Sequence, residues 1–115
     1  MTKLLFQYNV RNCRIFKNLP FPNTSPVIDG LSIYKSQQGI YTTVYISGNN
    51  FSLEGTHGYS TVTFGTYQNI SVIFYSSQTI SFQVPTNAPS GIYSVTVVNN
   101  SQNPLYSNSV NYTII

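Results

Sequence analysis

Charge is what this chain of 115 residues has least of, with Asp, Glu, Lys and Arg together making up 6%. Ordinary soluble domains carry about 25%. Side-chain catalysis needs titratable groups in convergent sets, and the chain has a single histidine, cysteine, aspartate and glutamate. His57 and Glu54 share the run Glu54-Gly55-Thr56-His57-Gly58, whose glycines mark a solvated turn better than an acid–base pair. His57 and Cys13 lie more than forty residues apart, far from zinc-ligand spacing. No Gly-rich phosphate loop stands between a strand and a helix. The chain is read as a non-enzyme with no cofactor and no metal.

Long apolar runs are missing too, so no stretch approaches a membrane span. Lys3-Leu4-Leu5-Phe6 opens like a secretory leader, but Gln7, Asn9, Arg11 and Asn12 break the apolar run too early. The expectation is a protein made without a signal peptide. Its five Asn-x-Ser/Thr sequons, at Asn23, Asn50, Asn69, Asn99 and Asn111, are then unglycosylated. One cysteine rules out an intrachain disulfide. Cys13 reads as a small apolar filler, with an interchain bridge as the alternative. No segment holds a 3.6-residue period, which argues against helices.

What remains is 41% hydrophobic residues, enough at this length for one core without disulfide or metal. Ser, Thr, Asn, Gln and ten tyrosines take the place of charge. Such a surface repels copies of itself poorly, which favours association. An AT-rich coding bias would raise Asn, Tyr and Ile, but it would raise Lys as well, and Lys is scarce. About half of the tyrosines are expected in the core by strand parity. Tyr34, Tyr41, Tyr59, Tyr67 and Tyr106 fall at loops or strand ends and, with Ser and Asn, resemble the make-up of adaptable binding loops.

Period-two alternation runs through the chain. Val44 and Ile46 alternate with Thr43, Tyr45 and Ser47, and Gly48-Asn49-Asn50 then breaks the strand. Phe51 follows directly, and its ring is best placed over the open end of a two-sheet core. A Gly-rich loop leads to Val62-Thr63-Phe64, closed by Gly65. A first strand is predicted over 27–34 with a kink or bulge at Asp29-Gly30. A hairpin is predicted from 70–75 and 79–84 around Ser76-Ser77-Gln78. Asn87-Ala88-Pro89-Ser90-Gly91 is a turn cluster. Tyr93, Val95 and Val97 point inward, as do Val110, Tyr112 and Ile114.

The ordered series Pro26-Val27-Ile28, Val44 to Phe51, Val62 to Gly65, Val84-Pro85, Gly91 to Val97 and Ser107 to Tyr112 resembles the IPT/TIG domain. That immunoglobulin-like module occurs in cell-surface receptors, some transcription factors, and viral and bacterial surface proteins. The resemblance covers residues 26–115 and implies an all-β, immunoglobulin-like two-sheet sandwich. The chain departs from the family at 34–39, where Pro-x-x-Gly is usual. It also lacks the intersheet disulfide of antibody domains.

Residues 1–25 fall outside the resemblance and form a basic arm. Lys3, Arg11, Arg14 and Lys17 give it +4, while Lys35 against Asp29 and Glu54 leaves −1 for the rest and +3 in all. Leu4, Phe6, Tyr8 and Val10 alternate with Leu5, Gln7, Asn9 and Arg11 at a strand period. Leu19-Pro20-Phe21-Pro22 then imposes an extended linker. Two placements are open. The arm adds a strand to its own sandwich, or it lies on a neighbouring subunit by strand addition or pocket insertion. In the second case Lys3, Leu4, Phe6, Tyr8, Val10, Arg11, Arg14, Phe16 and Lys17 bind the partner.

The expected function is a structural subunit of a large assembly, a capsid or tail accessory (decoration or cement) protein of a virion. Its partners are neighbouring structural subunits, including copies of itself. The alternative is a carbohydrate-binding or adhesion module on a cell or virion surface. Nucleic-acid binding is disfavoured, because four cations give only a modest counterion-release term.

Overall fold

Side-chain alternation sets the strands, and the computed structural model describes residues 25–53, 59–101 and 103–115. Ten strands lie in these residues: β1 (Val27–Leu31), β2 (Lys35–Ser36), β3 (Thr43–Asn49), β4 (Tyr59–Phe64), β5 (Tyr67–Ile70), β6 (Val72–Ser76), β7 (Thr79–Gln83), β8 (Gly91–Asn100), β9 (Leu105–Tyr106) and β10 (Val110–Ile114). They form two sheets. One has the order β1-β3-β7-β6; the other runs β2-β10-β8-β4-β5, with β9 paired to β8. Among the described residues only β2 and β10 pair in parallel. The all-β sandwich is the expected class.

The inward residues of each sheet meet in one core. Val44 and Ile46 of β3 and Ile80 and Phe82 of β7 face Val62 and Phe64 of β4, Val95 and Val97 of β8, and Tyr112 and Ile114 of β10. All ten are buried. Phe64 is its aromatic hub: Tyr93 stacks on it with centroids 4.7 Å apart, Tyr112 meets it edge-on at 5.5 Å, and Phe82 lies 6.0 Å away. Such offset and edge-on geometries suit aromatic quadrupoles. The Tyr93 hydroxyl also donates to the Pro89 carbonyl at 2.6 Å, tying the start of β8 to the turn before it. This is the tyrosine corner of immunoglobulin-like sandwiches.

Three local expectations are corrected. The strand over 27–34 divides: β1 bulges between Ile28 and Gly30 as expected, but the chain then changes sheets. Ser32 N–H still donates to Tyr45 O (2.8 Å), whereas Tyr34 O accepts from Thr113 of the other sheet (2.9 Å). The segment over 70–75 also divides, because Ile70 closes β5 and Val72 opens β6, and Ser71 passes between the sheets. Among the nine described tyrosines only Tyr112 is buried. Strand parity turns Tyr45 and Tyr75 outward, and Tyr67 and Tyr93 are half-buried against the core.

The break after β3 closes one end of the sandwich. Asn50 takes a left-handed backbone conformation (φ 64°), tolerated better by Asn than by most residues. That bend swings Phe51 inward until it is 3% exposed. Gly48 makes the bend fit. A Cβ there would collide with the Val27 carbonyl oxygen and sit 2.8 Å from the Phe51 ring. The polar groups of the segment are satisfied. Gly48 N–H donates to Gln78 O (3.0 Å) and Phe51 N–H to Ser77 O (2.9 Å). Asn99 Nδ2 donates to Asn50 O (2.9 Å), and Ser60 Oγ, itself bonded to Asn99 Oδ1 (2.6 Å), accepts from Ser52 N–H (2.8 Å).

Two stability outcomes follow. Gly48→Ala forces β1 off β3 and lowers stability by about 2–3 kcal/mol or more in chemical denaturation. The Tyr112 hydroxyl is buried without a hydrogen-bond partner, and an unsatisfied buried polar group is costly. Tyr112→Phe therefore leaves the denaturation midpoint unchanged or raises it, and a clear fall would mean that the hydroxyl is satisfied in solution.

Candidate functional site

The arm residues singled out as partner-binding (Lys3, Leu4, Phe6, Tyr8, Val10, Arg11, Arg14, Phe16 and Lys17) lie outside the described residues, as do Glu54 and His57. What the structure offers instead is two sheet faces. Among the described residues Asp29 and Lys35 are the only charged side chains, so neither face is acidic or basic.

The outer face of the four-stranded sheet is aromatic. Across it, Tyr45 of β3, Ser81 of β7 and Ile73 of β6 stand in one row by strand register. Tyr45, Ile73 and Tyr75 are each about half exposed. The Tyr45 and Tyr75 rings lie 5.8 Å apart, inclined by 37°. Ser81 points to this face, since Ile80 and Phe82 point inward, yet it is 1% exposed beneath its large neighbours. Bulky apolar groups over a small residue make a raised, water-excluding patch, unusual on a solvated sheet face.

The outer face of the six-stranded sheet is indented over part of its area. A groove of about 260 Å³ is floored by Thr63 of β4 and Val98 of β8. Gln68 and Asn69 of β5 line one side, Pro104 and Tyr106 the other, and Asn100 lies at the end of β8. The sequence located Tyr106 at a strand end and placed nothing around it. β5 was not anticipated, although Gly65-Thr66 between Phe64 and Tyr67 has the length and leading glycine of a two-residue hairpin turn.

The Ser107-Asn108 pair is structural. Ser107 N–H donates to Val97 O (2.9 Å), while its Oγ accepts from Val97 N–H (2.8 Å). Asn108 reaches across to β1. Its Oδ1 accepts from Ile28 N–H (2.8 Å) and its Nδ2 donates to Ile28 O (3.0 Å). A side-chain amide thus supplies both bonds of a ladder rung between the sheets.

Two packed sheets and a tyrosine corner define an immunoglobulin-like module. The IPT/TIG domain family matches residues 26–114, and the chain belongs to that family. Membership makes it an immunoglobulin-like module of a kind that serves protein–protein interaction or adhesion and is generally non-catalytic. No curated protein matches the chain. Among the described residues no helix is long and apolar enough to cross a membrane.

Contact between the two outer tyrosines has a measurable signature. A hydrogen bond to Tyr75, reinforced by its nearby charge and then by burial, holds the Tyr45 phenol above the ordinary tyrosine value. The fold favours the neutral form. Its contribution to stability is present below the unfolded-state value and is lost as pH rises through the folded one. In an alkaline titration followed by phenolate absorbance, Tyr75→Phe returns Tyr45 toward ordinary behaviour. An unchanged curve would rule the contact out.

Proposed function

We propose that this chain is a non-enzymatic structural subunit of a large assembly, in which the outer face of the four-stranded sheet packs on a neighbouring structural protein. The observation that carries this reading is the patch of Tyr45, Ile73 and Tyr75 on a domain whose described surface holds one cation and one anion. Aromatic anchors and depleted charge are the compositional marks of interface cores. Few like charges oppose close packing of copies. In its most concrete form the subunit is a capsid or tail accessory protein of a virion. Support for that form comes from the sequence: a basic arm over residues 1–25, a Pro-rich linker, and an immunoglobulin-like module of a kind met on viral surfaces.

In this account the arm steers and tethers. Lys3, Arg11, Arg14 and Lys17 pair with acidic or carbonyl groups of the neighbour, while Leu4, Phe6, Tyr8, Val10 and Phe16 are buried there with main-chain pairing. Incorporation into assembled particles tests both contacts. Deletion of residues 1–22 leaves the sandwich folded by far-UV circular dichroism but abolishes incorporation. A Tyr45→Ser, Ile73→Ser variant also folds and incorporates at least about tenfold less, since interface anchors contribute of the order of 2 kcal/mol each. If both variants incorporate as the parent does, the assembly role is wrong.

A further inference from the structure

We propose that the groove on the six-stranded sheet is a binding site for a neutral carbohydrate. It lies on the face opposite the Tyr45 patch and is independent of the assembly role.

The argument starts from the irregularity in β5. Val62 pairs with Ile70 and Phe64 with Tyr67, so the two residues Gln68 and Asn69 oppose the single residue Thr63. That is a β-bulge, and Asn69 adopts a left-handed conformation (φ 58°) within it. In a regular strand consecutive side chains alternate, and one of these amides would face the core. The bulge breaks the alternation, so that Gln68 and Asn69 both line the groove. Asn tolerates that conformation better than most residues, so the bulge keeps an amide at this position. The bulge has moved two amides to one side.

The opposite wall supplies the complement. Tyr106 is 63% exposed, its neighbour Pro104 is exposed as well, and β9 holds Tyr106 opposite Val98 on the floor. A free aromatic face beside a proline is a platform for the C–H face of a sugar ring. Asn100 is pre-aimed. Its two Nδ2 hydrogens are shared among Tyr59 O (3.0 Å), Thr61 Oγ1 (2.9 Å) and Val98 O (3.2 Å), which leaves Oδ1 to accept from a ligand. Each sugar hydroxyl both donates and accepts, and amides answer both roles. Among the described residues none that lines the groove is charged, so none of them compensates the desolvation of an anionic sugar. At about 260 Å³ the groove lies near the lower limit of small-ligand sites, suited to one or two sugar rings.

The test is a heteronuclear NMR titration of the full 115-residue chain with neutral gluco-, manno- and galacto-configured trisaccharides, and with a uronic-acid trisaccharide for comparison. At least one neutral sugar is expected to bind with a millimolar Kd, shifting the amides of Asn69, Asn100 and Tyr106. Tyr106→Ala weakens that binding at least about tenfold, and Tyr106→Phe keeps it within about threefold. Asn69→Gly retains the left-handed backbone and removes the amide, so it weakens binding with the spectrum otherwise unchanged. Absence of saturable binding by all three neutral sugars overturns the proposal. So does binding that Tyr106→Ala leaves intact, or a preference for the acidic sugar. None of these results touches the role of the Tyr45 face.

Discussion

The sandwich depends on one crossing, the passage of residues 48–52 from the end of β3 over the mouth of the core. Gly48 lets the Val27 carbonyl approach closer than any side chain would permit. Asn50 then turns the backbone so that Phe51 is driven in. Burial of that ring is worth of the order of 2–3 kcal/mol, and it is obtained only if the backbone polar groups around it are satisfied. They are, by the β6–β7 turn on one side and by the buried Ser60–Asn99 pair on the other. Three features of the fold are fixed at once. Register in β1, closure of the β6–β7 hairpin, and the alignment of β4 with β8 all meet there.

With that end closed, the domain leaves its two outer faces for contact. The described surface has almost no charge, so in the proposed roles recognition there relies on shape, aromatic area and amide hydrogen bonds. In the proposed assembly, long-range steering falls to the cations of residues 1–25. A charge-poor domain and a charged arm would then divide the work between encounter and fit.

Much of the architecture was legible in the sequence, because alternation fixes which side chains face inward. Val44, Ile46, Val95, Val97, Tyr112 and Ile114 are buried as their parity demands, and Phe51 plugs the core as its position after a Gly-Asn-Asn break implied. The limits are equally physical. Alternation says which residues share a face but not when a strand changes sheets, so the divisions after Leu31 and at Ser71 stayed hidden. Tyrosine is amphipathic, and parity alone overstated its burial. The groove could not be anticipated, since it rests on a bulge that suspends the alternation by which strands are recognised. Tyr45 and Ile73 are twenty-eight residues apart and become neighbours only through register with Ser81.

The rung that Asn108 makes to Ile28 joins positions separated by 80 residues. During synthesis from the N-terminus, β1 is among the first parts of the domain to emerge, yet the amide that completes its bulge is made almost last. The ribosome must deliver nearly the whole domain before its two sheets are joined there. Contacts of such long sequence separation slow folding, because the chain must be closed into a large loop before they can form. The exposed backbone of β1 is meanwhile open to another strand, which makes the nascent chain, rather than the finished domain, the stage most exposed to mispairing.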